Sequence, residues 1–176
     1  MKKIGLFLLT AVLAGFSVSC GGGSNSNSLA DMKLTELNLS DKGIPVTIQA
    51  PEGAEIKDGM FMGEFGGIKM MDYEIVKDEF VMEVSMDDAE ETRTVEEIVN
   101  DAKETAQTED GFVKFVKEEA NGFIYQVKTD DYEDFKFHYV LIKDKKAIEF
   151  TEGLKLFTEF TQKDAEILYN IAKNAK

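Results

Sequence analysis

From residue 34 onward, short segments of alternating apolar and polar residues are separated by residues that favour tight turns. Gly66-Gly67 stands between two such segments, and so does Asn121-Gly122. Dipeptides of this kind form the two-residue loops of β-hairpins, whose strands run antiparallel. The predicted strands are 44–50, 60–65, 68–76, 80–86, 112–119, 123–129, 135–141 and 146–151. The chain is therefore predicted to build an antiparallel sheet from hairpins.

Two further segments repeat apolar residues at the helical spacing of three and four. In the first, Thr94 and Glu97 form a capping box, which predicts a helix from Val95 to about Thr108. A second helix is predicted to follow Thr161, with an apolar stripe of Ala165, Leu168, Ile171, Ala172 and Ala175. The order of strands, helix, four strands and helix predicts an α+β domain, in which two helices pack on an antiparallel β-sheet.

This order of elements resembles the PsbP-like fold, which is named for an extrinsic subunit of photosystem II and also occurs in bacterial lipoproteins. The resemblance covers about residues 34–176 and rests on the element order, the opening strand at 44–51 and the closing helix. It implies an α/β/α sandwich in a lipoprotein family of unknown function. It also implies a non-enzymatic binding or assembly role, but it transfers no functional residue onto this chain, because fold alone does not determine function.

The first twenty residues resemble a bacterial lipoprotein signal peptide. Lys2 and Lys3 supply a positive start, residues 4–16 are apolar, and Cys20 follows Ser19. The apolar run is shorter than the ~20 residues that a membrane-spanning helix needs. The resemblance implies three divisions: a signal peptide at 1–19, a lipidated Cys20 with a flexible tether at 20–33, and a single globular domain at 34–176.

A second interpretation of the N-terminal segment stays open, because the usual lipoprotein motif has an aliphatic residue where this chain has Ser17. Ordinary cleavage after Ser19 would leave Cys20 as a lone exported thiol, which invites intermolecular pairing. Lipidation instead places the protein in the bacterial cell envelope, held to the membrane by palmitate-type acyl chains. Gly21, directly after the cysteine, favours the outer membrane on its periplasmic side.

The net charge of −14 excludes a nucleic-acid-binding role, since phosphate backbones require a basic surface. Cys20 is the only cysteine, so no disulfide stabilises the domain. A domain of about 140 residues is long enough for one hydrophobic core. The expected partners are the membrane, through the lipid anchor, and either an envelope protein or a small apolar ligand.

Motifs for catalysis are absent from the sequence. The one histidine, His138, lies in the middle of a predicted strand without a flanking serine or cysteine nucleophile motif. No Walker loop, G-x-S-x-G motif or dinucleotide-binding glycine pattern occurs. We therefore predict that the protein is not an enzyme and has no catalytic residue and no cofactor.

Metal binding has two weak candidate sites in the sequence. The predicted loop 130–134 contains Asp130, Asp131, Glu133 and Asp134, whose carboxylates suit calcium. The loop lacks the spacing of a calcium-binding hand and has no glycine to fold around an ion, so a solvated loop is the favoured interpretation. Methionines at positions 60, 62, 70 and 71 have thioethers that suit Cu(I), but core packing is favoured for them. No metal site is predicted.

The glycine-rich first hairpin carries more apolar residues than an exposed ribbon should, namely Met60, Phe61, Met62, Phe65 and Met71. Either they pack beneath a helix or they form a patch that binds a ligand or a partner. The leading hypothesis is a non-catalytic binding or assembly module. A carrier of a small apolar or lipid-like ligand would need an enclosed apolar cavity. A divalent-cation-binding envelope protein would need several converging carboxylates.

Overall fold

The computed structural model describes residues 29–153 and 159–176. The predictions for the signal peptide, for Cys20 and for residues 20–28 lie outside the described residues. The strands are β1 Leu34–Asn38, β2 Thr47–Pro51, β3 Glu55–Asp58, β4 Gly63–Phe65, β5 Ile68–Lys77, β6 Phe80–Asp87, β7 Phe112–Glu119, β8 Gly122–Lys128, β9 Glu133–Lys143 and β10 Lys146–Glu152. The helices are α1 Val95–Gln107 and α2 Gln162–Lys173, with short 3₁₀ helices at Leu29–Asp31 and Ser40–Lys42.

One large antiparallel sheet holds eight of these strands. Seven of them follow the order β3-β5-β6-β10-β9-β8-β7, and β4 pairs with β5 on the edge that β3 also occupies. The strands β1 and β2 form a separate antiparallel pair. The prediction of an α+β domain, with an antiparallel sheet and two helices, is confirmed.

Each face of the sheet carries its own hydrophobic core, because neighbouring residues of a strand point to opposite faces. In β9, Phe137 and Tyr139 belong to the core that α2 and the β1–β2 pair cover. Val140 points the other way and belongs to the core that α1 covers over β7, β8 and β9. The two helices therefore lie on opposite faces of the sheet.

Both helices begin at the predicted capping residues. The Glu97 N–H donates to Thr94 Oγ1 at 3.2 Å, and the Thr94 N–H donates back to Glu97 Oε2 at 2.7 Å. Thr161 and Asp164 form the same reciprocal box at the start of α2. Four of the five residues predicted for the stripe of α2 are buried, and Ala175 is partly buried. These two helix predictions are confirmed.

The two glycine-containing turns differ from each other. Gly66 and Gly67 have φ values of 62° and 85°, the left-handed conformation that a tight hairpin between β4 and β5 requires. In the β7–β8 hairpin the turn consists of Ala120 and Asn121, whereas Gly122 is already the first residue of β8. The prediction that Gly122 is a turn residue is therefore wrong. A Cβ at this position would lie 2.2 Å from a backbone oxygen of β9, so close packing explains the glycine.

Several strands also differ from the prediction. The strands β1 and β3 lie in segments for which no strand is predicted, and the predicted strand 60–65 is a strand only from Gly63 onward, because residues 59–62 form the β3–β4 loop. The opening strand is shorter than expected, because Ile44 and Val46 are buried in an irregular segment before β2. The strand β9 begins inside the predicted loop 130–134, and Asp134 accepts hydrogen bonds from the N–H groups of Phe135 and Phe160.

Within residues 29–153 and 159–176, neither helix is long and apolar enough to cross a membrane.

Candidate functional site

Four exposed apolar side chains lie in two neighbouring segments of the chain, two in the β3–β4 loop and two in the β4–β5 hairpin. The exposed fractions are 74% for Met60, 58% for Phe61, 61% for Phe65 and 40% for Ile68. Core residues of the same types are almost fully buried. We call these four residues the apolar tip. Their exposure identifies the tip as the principal apolar surface of the described chain.

The structure separates the five residues that the sequence analysis grouped as a patch. Met60, Phe61 and Phe65 belong to the apolar tip, whereas Met62 is half-buried and packs against the core. Met71 is 4% exposed and lies inside the core, with its sulfur close to Gly43. Met71 is therefore not part of the tip surface. Ile68, which the sequence analysis did not include, completes the tip.

Asp72 holds the loop that carries the apolar tip. Its Oδ2 accepts a 2.7 Å hydrogen bond from the Phe61 N–H, and its backbone oxygen accepts another of 2.7 Å from the Gly59 N–H. Any Cβ at position 59 would lie within 2.3 to 2.5 Å of the Asp72 carboxylate. Only glycine allows the loop to approach this closely. The position of Met60 and Phe61 therefore depends on Asp72, whereas Phe65 and Ile68 are held by the pairing of β4 with β5.

A second carboxyl group lies beside Asp72. Glu83 is within hydrogen-bonding reach of Asp72, and Glu74 is its direct cross-strand neighbour. Burial, followed by the charges of Asp72 and Glu74, raises the pKa of Glu83 to about 7. We call Asp72 and Glu83 the carboxyl pair. Glu83 therefore titrates in the range of physiological pH, unlike an ordinary glutamate.

The apolar tip and the start of the described chain lie at opposite ends of the domain. Ile68 is the first residue of β5 and Lys77 the last. A strand of ten residues spans about 30 Å. Lys77 lines a shallow surface pocket together with Met32 and Lys33, close to the point where the described chain begins. The tip is therefore about the length of β5 away from that point.

A cleft of about 530 Å³ opens between α1 and the strands β8, β9 and β10. It is open to solvent, and its lining mixes apolar side chains with charged ones. The charged or titratable lining residues are Arg93, Asp101, Glu109, Tyr125, His138, Glu149 and Glu152. The cleft is therefore not an enclosed apolar cavity.

One end of the cleft holds a compact group of charged residues. Lys136 Nζ bonds to Glu109 Oε1, and the Tyr125 hydroxyl donates to Glu109 Oε2 at 2.9 Å. Glu152 accepts a 2.8 Å hydrogen bond from the Phe137 N–H, and burial raises the pKa of Glu152 to about 8. Burial opposes the charge of Lys136, but the surrounding carboxylates, Glu109 first, leave the pKa of Lys136 raised. Each of these groups therefore has a partner, from a side chain of the group or from the backbone of β9.

His138 lies in the same cleft, on the face of β9 that α1 covers. Its Nε2 is 3.0 Å from Glu149 Oε2, and its ring stacks on Phe123 at a centroid distance of 5.7 Å. The imidazole of His138 at this distance lowers the pKa of Glu149. A histidine oriented by a carboxylate is two thirds of a catalytic triad. Among the described residues, no hydrogen bond joins His138 to a hydroxyl group.

The four weak calcium candidates do not converge. Asp130 and Asp131 lie in the loop before β9, whereas Glu133 and Asp134 lie within the strand. Glu133 forms an ion pair with Lys128, and Asp134 accepts backbone hydrogen bonds. Throughout the described ranges, no group of three or more histidine, cysteine or acidic side chains is arranged to hold a metal ion.

Sequence reasoning did not find the carboxyl pair or the charged group around Lys136. Asp72 and Glu83 are eleven positions apart, and each resembles an ordinary solvent-facing residue of an alternating strand. Only the β5–β6 register brings them together. Asp72 lies in β5 between the residues that pair with β4 and those that pair with β3, and no pattern in the sequence indicates this position.

Comparison with known proteins adds no identification: no family model matches the chain, and no curated protein or solved structure is significantly similar to it.

Proposed function

We propose that this protein is a bacterial envelope lipoprotein that binds a protein partner through the apolar tip. In this proposal Cys20 carries the lipid and anchors the protein to the outer membrane on its periplasmic side. The domain is a PsbP-like α/β/α sandwich without catalytic activity. The observation that carries the proposal is the exposure of two phenylalanines and a methionine at one end of a domain with two well-packed cores.

The energy available at the apolar tip is moderate. Fully burying an apolar side chain of this size contributes about 2 kcal/mol. Because the four tip side chains are 40% to 74% exposed, burying the rest of them offers on the order of 5 kcal/mol. Association costs at least ~4 kcal/mol in lost translational and rotational freedom. The tip alone would therefore give weak binding. We infer that the partner also contacts the polar surface around the tip.

The surface around the tip indicates the chemistry of the partner. Carboxylates outnumber cations close to the tip along the chain or across the sheet: Asp58, Glu64, Asp87 and Asp88 against Lys57 and Lys69. The whole chain carries a net charge of −14. Charge complementarity favours a partner with an apolar groove bordered by lysine or arginine. The same negative charge disfavours insertion of the tip into an anionic membrane surface.

The position of the tip also favours a protein partner over the anchoring membrane. Cys20 is separated from Leu29 by few residues, which reach at most ~30 Å when extended. The lipid would therefore hold the beginning of the described chain near the bilayer. When the domain stands upright, the tip faces away from the membrane by about the length of β5.

The structure supports the alternative functions less well. A carrier of an apolar ligand needs an enclosed apolar cavity, whereas the cleft beside α1 is open and partly charged. An enzyme needs an activated nucleophile or another reacting group beside the pair of His138 and Glu149. A cation-binding function needs several converging carboxylates, and none converge among the described residues.

The docking role is tested by site-specific photo-crosslinking in the native envelope. A photo-reactive residue at Met60 is expected to give a discrete heterologous adduct, because this side chain is the most exposed of the tip. Adding Phe65→Asp should reduce the adduct at least tenfold, since a buried charge is costly at an apolar interface. High salt should also weaken the adduct, because surface charges are screened.

Val113 supplies the matched control for this experiment. It is an exposed apolar residue on β7, at the other edge of the sheet, and is 47% exposed. Val113→Asp should leave the adduct from position 60 unchanged. An adduct with the mass of two copies of the chain would show that the tip binds a second copy of this chain and not a different protein. The proposal is also contradicted if no adduct forms, or if Val113→Asp removes it as effectively as Phe65→Asp.

The lipid anchor is tested by the intact mass of the protein from the native membrane fraction. We expect the mass of a chain that begins at Cys20 and carries a diacylglyceryl group, with or without an additional acyl chain. Cys20→Ser should move the protein to the soluble fraction, because an unmodified serine cannot carry the thioether-linked lipid. An unlipidated wild-type chain in the soluble fraction would refute the anchor.

A further inference from the structure

Asp72 is the one fully buried charged side chain among the described residues. Its Oδ2 accepts the hydrogen bond from the Phe61 N–H at 2.7 Å. Its Oδ1 is also buried, and no described residue donates a conventional hydrogen bond to it. An unsatisfied buried polar atom costs about 1–3 kcal/mol, and more when it is charged. A donor is therefore needed at Oδ1.

A protonated Glu83 is the donor that the geometry offers. Glu83 lies on β6, on the same face of the sheet as Asp72, with its carboxyl within hydrogen-bonding reach. An ionised Glu83 has no proton to donate and would repel Asp72. A protonated Glu83 can donate to Asp72 while Asp72 keeps the charge that accepts from the Phe61 N–H.

We propose that a protonated Glu83 donates a hydrogen bond to Asp72 Oδ1 and that this bond holds the β3–β4 loop, with Met60 and Phe61 of the apolar tip, in its docking position. The inference rests on the proposed function, because it concerns the regulation of the same tip. It predicts that the loop 59–62 is well ordered when the pair holds its proton. Loss of the proton places two negative charges side by side beneath the loop and loosens it.

Other charged groups on this face of the sheet modulate the pair without replacing it. Glu74 lies directly opposite Glu83 and adds negative charge. Lys57 on β3 lies opposite Glu74 and forms an ion pair with Glu55 at 3.7 Å. From β10 and β9, Glu149 and His138 face the same side and pair with each other. The short-range neighbours of Glu83 are thus carboxylates, which favour retention of a proton.

The direction of the pH dependence follows from the raised pKa of Glu83. In the closed loop Glu83 holds its proton up to about pH 7, whereas an exposed glutamate releases it near its ordinary value of 4.5. Opening of the loop therefore releases a proton between these two values. Opening becomes easier as pH rises from about 4.5 to about 7 and then levels off.

Amide hydrogen exchange of the whole mature protein tests this inference. Dividing the wild-type exchange rate by the rate of Glu83→Gln at the same pH cancels the intrinsic pH dependence of amide exchange. In the peptide that contains Phe61, this ratio should rise at least tenfold between pH 5 and pH 8. In the Glu83→Gln variant, the side-chain amide at position 83 donates an N–H to Asp72 at every pH, so the variant should stay protected.

Two controls make the result specific. Glu104→Gln removes an exposed carboxylate of α1 that belongs neither to the carboxyl pair nor to the surface around the tip, and it should exchange like wild type. A carbon-detected NMR titration of wild-type Glu83 gives its pKa directly and is informative even if Glu83→Gln does not fold. The inference is overturned if the Glu83 pKa is ordinary or if Glu83→Gln opens with the same pH dependence as wild type. It is equally overturned if millimolar Ca²⁺ abolishes the wild-type dependence, since a metal ion would then occupy the place of the proton.

The outcome is independent of partner docking. Exchange and titration report on the isolated protein, so they hold even if crosslinking at Met60 finds no partner. If both proposals are correct, the heterologous adduct should weaken as pH rises from 5 to 8 in wild type and remain constant in Glu83→Gln. An adduct that is insensitive to pH, together with pH-dependent exchange, would contradict the regulatory role of the pair.

Discussion

Tyr169→Ala is expected to lower the free energy of unfolding by about 4 kcal/mol, because it removes a large aromatic side chain from the centre of the larger core. Tyr169 is fully buried on α2. Its ring makes edge contacts with Tyr139 and Phe137, at centroid distances of 5.5 Å and 6.4 Å. Lys117 Nζ lies 4.4 Å from the centre of the same ring. Urea denaturation followed by far-UV circular dichroism measures the loss.

Tyr169→Phe separates the contribution of the ring from that of the hydroxyl group. It keeps the aromatic contacts and removes only the 3.2 Å hydrogen bond from the hydroxyl to Glu119. A single hydrogen bond contributes about 1 kcal/mol, so this variant should lose roughly that much. Equal losses for the two variants would show that the aromatic packing does not stabilise α2 on the sheet.

The role of Tyr169 shows what helix periodicity can and cannot predict. The stripe of small and aliphatic residues on α2 was predictable, because apolar residues that recur every three or four positions lie on one face of a helix. Tyr169 lies at the edge of the same face. Tyrosine is common at both buried and exposed positions, so spacing alone did not assign it to the core. Its environment depends on β9, which is distant in the sequence.

Composition predicts an apolar surface around residues 60–71, but it does not predict which of these residues are exposed. The excess of methionine and phenylalanine around residues 60–71 indicated a patch or a pocket. Met71 and Ile68 belong to the same strand, yet only the pairing of β5 determines which residue faces the core. Strand alternation places residues on two faces without saying which face is covered. The covering element, the β1–β2 pair, comes from another part of the chain.

The carboxyl pair could not be predicted from local patterns. An acidic residue on an alternating strand is expected to face solvent, which is the correct interpretation for most of the acidic residues of this chain. Asp72 differs because the loop at Gly59 covers it and because β6 places Glu83 beside it. Both causes are tertiary contacts between segments that are separated in the sequence. Functional sites are the places where such departures from local rules are expected.

Gly122→Ala is expected to destabilise the protein by about 3 kcal/mol, at the upper end of the costs of overpacking. A Cβ on Gly122 would lie 2.2 Å from the backbone oxygen of His138 and 2.9 Å from the Cα of Tyr139. These are backbone atoms of the paired strand β9, so no side-chain rotation relieves the collision. The strands must separate at the β7–β8 hairpin, which also disturbs the position of His138 in the cleft.

Gly53→Ala is the matched control for the steric argument. Gly53 has a left-handed φ of 77°, but an added Cβ would meet no atom within 4 Å. This variant should lose about 1 kcal/mol through backbone strain alone. Urea denaturation of both variants and of wild type measures how much unfolding free energy each substitution removes. A loss at Gly122 no larger than that at Gly53 would mean that β8 moves away from β9 at little cost. The close approach of these strands would then not be what requires a glycine at position 122.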